Sequence, residues 1–204
     1  MDYLSAVILF AVSSSITPGP NNIMVMTSGV NFGVKKTLPL LAGICMGFTI
    51  MLLILGAGFS TVFELFPNLH FVIKCFGVLY LLYLAYLIAT SSGAIQSDSQ
   101  SKPLTFMNGA LFQWVNGKAW VVAMGAIAAF TTTGTDLLMQ NMMIAATFLL
   151  VSFPCVAIWL GFGSLLKNVL NTPRRRLLFN LCMASLLVLS IVPVISEIIE
   201  QVIA

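Results

Sequence analysis

Two short polar interruptions in an otherwise apolar chain carry the residue types that could do chemistry. The first is Thr17-Pro18-Gly19-Pro20-Asn21-Asn22, set inside the first long apolar stretch. Pro18 and Pro20 have no backbone N–H, so the carbonyls of Ser14 and Ile16 lose their helical partners. In hydrocarbon an unpaired backbone group is costly, and broken backbone survives only against protein or a watery cavity. Thr17 is placed to N-cap a restarted half-helix with Pro18 at its first position. Gly19 admits a close backbone or ligand. The free N–H groups of Asn21 and Asn22, with the positive end of the new half-helix, favour an anion such as a carboxylate. The alternative is a plain proline kink repaired by the hydroxyls of Ser13, Ser14 and Ser15.

The second interruption is Gln113-Trp114-Val115-Asn116-Gly117-Lys118. At about 1.5 Å per helical residue, Lys118 lies about 17 Å into its span, counted from Met107. A lysine at the bilayer centre costs roughly 2.5–3.5 kcal/mol on insertion scales, so it normally faces the protein interior. Its expected partners are a substrate carboxylate or the backbone carbonyls of the first break. If the span starts later, Lys118 instead snorkels to the cytoplasmic interface. Gln113, Asn116, Asn21 and Asn22 supply amide contacts. By the same helical rise, Pro18 is on the order of 22 Å from the outer end of its span, toward the cytoplasmic half.

The elements that must position these residues follow from composition. Of 204 residues, 59% are apolar and 7% charged, with a mean hydropathy of +1.04. A soluble domain carries about 25% charged residues, so the chain is expected to be an all-α integral membrane protein. Six apolar spans are read at 3–26, 38–59, 71–89, 107–130, 138–162 and 177–195. The intervening loops are 27–37, 60–70, 90–106, 131–137 and 163–176. Met1-Asp2-Tyr3 lacks the positive region of a cleaved signal, so the first span is expected to be retained.

Lys35, Lys36, Lys102, Lys167, Arg174, Arg175 and Arg176 fall in the first, third and fifth loops. Only Lys74 falls on the other side, beside Asp2, Glu64, Asp136, Glu197 and Glu200. Basic short loops mark the cytoplasmic face, which places both termini outside. The Ser-rich segment at 91–106 divides one polytopic domain, 1–204, into halves of about 1–90 and 107–204. Three spans per half make the halves opposite in orientation, as in inverted-repeat transporters, and each half opens with a polar-interrupted span.

Other features read as structural. Gly43 and Gly47, with Gly56, Gly58, Gly161 and Gly163, suit close helix packing, and Pro154 suits a kink. Cys45, Cys75, Cys155 and Cys182 lie in apolar segments and read as small hydrophobes. His70 reads as solvated at an outer loop. The arginine run reads as a topology determinant, with anionic lipid as a second use. No acid falls mid-span, no P-loop occurs, and no metal-binding or nucleophile–base constellation lies in the membrane. The expectation is a protein that is not an enzyme, holds no cofactor and no metal, and binds no nucleic acid.

Ile16-Thr17-Pro18-Gly19-Pro20-Asn21 resembles the N-terminal signature of the LysE/RhtB amino-acid exporter family. The length, six apolar segments and Gly33-Val34-Lys35-Lys36 before Gly43 extend the resemblance over nearly the whole chain. Asn116-Gly117-Lys118 resembles the family's Asn-Pro-Lys element, with Gly117 in place of proline. The resemblance implies a secondary exporter in a bacterial inner membrane, driven by the proton gradient. It looks nearest to the cysteine/O-acetylserine branch, with homoserine, threonine or leucine as other substrates. The site it shares with the reading above is Thr17 to Asn22 with Gln113, Asn116 and Lys118, taking an amino acid. Export of basic amino acids, a small channel, or a non-transporting assembly or lipid-binding protein are the alternatives. A six-span bundle is thin for alternating access, which suits a homodimer.

Overall fold

The computed structural model describes residues 3–59, 67–90, 102–132 and 137–203, and the described residues are helical with no strand. In chain order the helices are α1 (Tyr3–Ile16), α2 (Pro20–Phe32), α3 (Val34–Ile54), α4 (Pro67–Thr90), α5 (Phe106–Phe112), α6 (Gly117–Phe130), α7 (Leu137–Val169) and α8 (Pro173–Ile203). A π-helical turn at Leu55–Phe59 extends α3, and a 3-10 turn at Gln113–Val115 follows α5. By length and apolarity α3, α7 and α8 can each cross a bilayer, and α1 with α2, bent by 55°, can form a fourth crossing. Cys75–Thr90 of α4 and α6 are shorter apolar helices.

Two expected loops are almost wholly helical. The stretch 27–37 breaks only at Gly33, whose φ of 81° suits glycine. Its hydroxyl residues Thr27, Ser28 and Thr37 are buried, whereas Lys35 and Lys36 are exposed. Ser28 pairs with Thr37 at 2.8 Å, and Asn31 exchanges amide bonds of 2.9 and 3.3 Å with Asn180 of α8. The stretch 163–176 shrinks to 170–172. Gly163 does not end α7; it lets α2 approach, because a Cβ there would strike the Met26 carbonyl. Lys35, Lys36, Lys167 and Arg174 to Arg176 therefore sit on helix ends, not in loops. The loop 60–66, the linker at 91–101, Asp2 and Asp136 lie outside the described residues, as do the side chains of His70 and Lys74.

Two apolar clusters meet across α3 and α7. One joins Met24, Leu40, Leu84 and Leu187, and binds α4 to α8. The other joins Val7, Met51, Ala123 and Phe148. The first half of each broken pair packs against the middle helix of the opposite half: α1 on α7, and α5 on α3. The α3–α5 contact is backbone to backbone. A Cβ on Gly109 would lie 2.5 Å from the Leu40 carbonyl oxygen, and one on Gly47 would lie 2.6 Å from the Ala110 Cα. Gly43 faces Phe106 in the same way, whereas Gly58 and Gly161 have nothing within 4 Å and serve no close packing. Pro154 lies inside the continuous α7, and Cys45 and Cys155 are buried free thiols.

Candidate functional site

The first break is set by Gly19, not by Thr17. A residue preceding proline is steered out of the α region, and Gly19 before Pro20 is extended at φ −177°, ψ 178°. The helix consequently restarts at Pro20, with Gly19 as an N-cap that offers no side chain. Thr17 is not the cap: its hydroxyl donates back to the Ser13 carbonyl. Nor do the three serines repair the break. Ser13 and Ser14 donate to the Phe10 carbonyl upstream, and Ser15 pairs with Ser152 of α7 at 3.1 Å.

The exposed carbonyls are met from elsewhere. The Trp159 indole donates to the Ile16 carbonyl at 3.1 Å. Asn22 Nδ2 donates to the carbonyls of Ser15 and Thr17, both at 3.0 Å. Lys118 Nζ donates to the Thr17 carbonyl at 2.8 Å and reaches that of Pro18 at 3.4 Å. Lys118 thus lies on the first break, half-buried. Its positive charge sits at the C-terminal end of α1, where the helix dipole favours a cation.

The second break is built differently. Asn116 is extended at φ −89°, ψ 102° and N-caps α6, its Oδ1 accepting from the Lys118 N–H at 3.2 Å. Gly117 takes the first helical position. The Trp120 indole donates to the Trp114 carbonyl at 2.8 Å. Each break therefore has one tryptophan satisfying a carbonyl before the restart. Neither Trp159 nor Trp120 was singled out from sequence. The available signal was an indole within an apolar span, because a buried indole N–H usually finds an acceptor.

Gln113 and Asn21 are occupied with each other. Each donates to the other at 3.0 Å, and Gln113 also donates to the Gly109 carbonyl at 2.9 Å. Gln113 is completely buried and ties α5 to α2; it does not line the cavity with Lys118. That cavity, about 50 Å³, lies between the two breaks. Its polar side includes Ser14, Ser15, Asn22, Asn116 and Lys118, and its apolar side Ile44, Phe48, Val122 and Phe148. Asn22 Oδ1 is buried with no hydrogen-bond partner. The cavity has room for water and is far below the ~300 Å³ of an open ligand pocket.

The sequence profile of the LysE type translocators matches residues 12–196. The chain belongs to the LysE family. Cysteine/O-acetylserine efflux proteins resemble this LysE-family chain over most of their length. The one from Escherichia coli (strain K12) is 30% identical over 186 residues, covering 91% of this chain and 93% of that protein. The one from Salmonella choleraesuis (strain SC-B67) is 32% identical over 189 residues, with the same coverage. No solved structure matches the chain. As a LysE type translocator it is a multi-pass membrane protein.

Proposed function

We propose that this translocator exports small neutral amino acids of the cysteine and O-acetylserine type, with the substrate held between the two helix breaks. The observation that carries the reading is the Lys118 ammonium at the first break, beside the N-termini of α2 and α6 and the unpaired Asn22 Oδ1. A substrate carboxylate takes the Lys118 charge and the first-turn N–H groups of α2. The substrate ammonium is taken by Asn22 Oδ1. The wall formed by Ile44, Phe48, Val122 and Phe148 suits a short side chain, not a second charge. The names of the relatives support the same substrate class.

The proposed orientation has the basic end in the cytoplasm and both termini outside the bacterial inner membrane. Supporting it, the two basic helix junctions are neighbours: a Cβ on Gly33 would lie 3.8 Å from Lys167 Nζ. Six crossings in two inverted halves are part of the proposal, supported by the exchanged packing of α1 on α7 and α5 on α3. Proton antiport and a homodimer complete it.

The deciding experiment measures efflux of preloaded labelled cysteine, O-acetylserine, threonine, leucine, lysine and arginine, with and without an uncoupler. Accelerated efflux of the small neutral substrates, abolished by the uncoupler, is expected. Acceleration only of lysine and arginine would assign the protein to basic amino acids and refute the reading.

A further inference from the structure

We propose that the vestibule between α2, α4 and α5 is a second binding site for a zwitterionic amino acid, in series with the site at the helix breaks. This inference rests on the export reading above. The vestibule has a volume of about 470 Å³, which is within the range of ligand pockets. It lies at the basic end of the molecule, where Asn31, Thr90 and Lys102 line it.

Thr27 marks it as more than a gap. Threonine hydroxyls in helices ordinarily donate to a carbonyl one turn back, and Thr37, Thr49, Thr90 and Thr147 all do so here. Thr27, on the same kind of helix, does not. Its residue is 2% exposed and lines the vestibule, and its Oγ1 is buried without a partner. A buried hydroxyl left unpaired costs about 1–3 kcal/mol, a cost removed when the Thr27 side chain turns its hydroxyl to a ligand in the vestibule. Lys102, exposed at the same vestibule, supplies a cation for a carboxylate. A hydroxyl that accepts from an ammonium and a lysine that pairs with a carboxylate are the two complements of one amino-acid backbone.

The two sites share α2. Met24, fully buried, lines the vestibule, whereas Asn21 and Asn22, about one turn earlier, line the central cavity. What separates them is Met24 and the reciprocal Asn21–Gln113 pair. An amino acid held at Thr27 is therefore about two helical turns along α2, ~10 Å, from the first break.

The test is equilibrium binding of labelled cysteine, under reducing conditions, to the full chain in lipid nanodiscs. Two equivalents are expected for wild type. Thr27→Val and Lys102→Gln should each weaken one equivalent about tenfold or more, and Lys118→Met should remove the other. The Lys102 variant changes an exposed side chain, so it keeps the test valid if Thr27→Val folds poorly. A single equivalent that Lys118→Met removes and the two vestibule variants leave unchanged would overturn this inference alone. Two equivalents unaffected by Lys118→Met would overturn the site at the breaks, and no binding would overturn both.

Discussion

Gly19→Ala isolates the position of one ammonium group. Gly19 is extended, a conformation open to alanine, so the substitution adds no backbone strain. What it adds is a methyl group 3.0 Å from Lys118 Cδ and 3.2 Å from Lys118 Nζ. Carbon atoms rest about 3.5–4.0 Å apart, so the lysine must retreat by several tenths of an ångström. Its bond to the Thr17 carbonyl, 2.8 Å in the native chain, lengthens or breaks. The charge-assisted bond that a displaced ammonium no longer makes to the substrate carboxylate contributes about 1.5–3 kcal/mol. At about 1.4 kcal/mol per tenfold, a misplaced ammonium should weaken substrate binding roughly ten- to hundredfold. Initial efflux rates against internal substrate concentration read this as a raised half-saturation. Melting temperature should barely change, because the displaced side chain moves into the cavity. If Gly19→Ala transports like wild type while Lys118→Met is inactive, the lysine does not act from the position described here.

The remaining expectations test neighbouring contacts. Lys118→Met should abolish efflux yet leave a folded protein, because Asn22 still satisfies the Thr17 carbonyl; size-exclusion profiles and transport assays check both halves. Asn21→Ala strands the buried Gln113 amide and should lower stability by about 1–3 kcal/mol, seen as a lower melting temperature in detergent. Gly109→Ala forces α5 from α3, since the added carbon would meet Leu40 and Ile44 backbone atoms at 2.5 and 2.8 Å. Overpacking of that kind costs about 1–3 kcal/mol, and the yield of folded protein in membranes should fall. Trp159→Phe removes the donor to the Ile16 carbonyl and should reduce transport more than it reduces melting temperature.

What the sequence made legible was the chemistry of the breaks, because prolines, glycines and a lysine inside apolar runs violate rules that are nearly absolute in hydrocarbon. Lys118 was expected to reach either a substrate or the first break, and it lies on the break. Helix ends were less legible. Ser28 and Asn31 lower local hydropathy as a loop does, yet they pair across helices with the buried Thr37 and Asn180, the second of them 149 residues away in the chain. The cap was misassigned for a local reason. Thr17 has the better capping side chain, but the constraint of Pro20 on Gly19 decides where the helix begins.

The same lysine gives the two breaks a common fate. Lys118 is attached to the Thr17 and Pro18 carbonyls, and so links the start of α6 to the end of α1. A carboxylate that takes the ammonium competes with those carbonyls for the same protons. In the proposed cycle, substrate binding therefore weakens the α1–α6 link as it forms the site. The Asn21–Gln113 pair, which does not touch the cavity charge, continues to hold α2 to α5. In that cycle one contact of the first break is exchanged for substrate while another persists. The cavity of about 50 Å³ widens, in the same proposed cycle, as a carboxylate draws Lys118 from the backbone carbonyls.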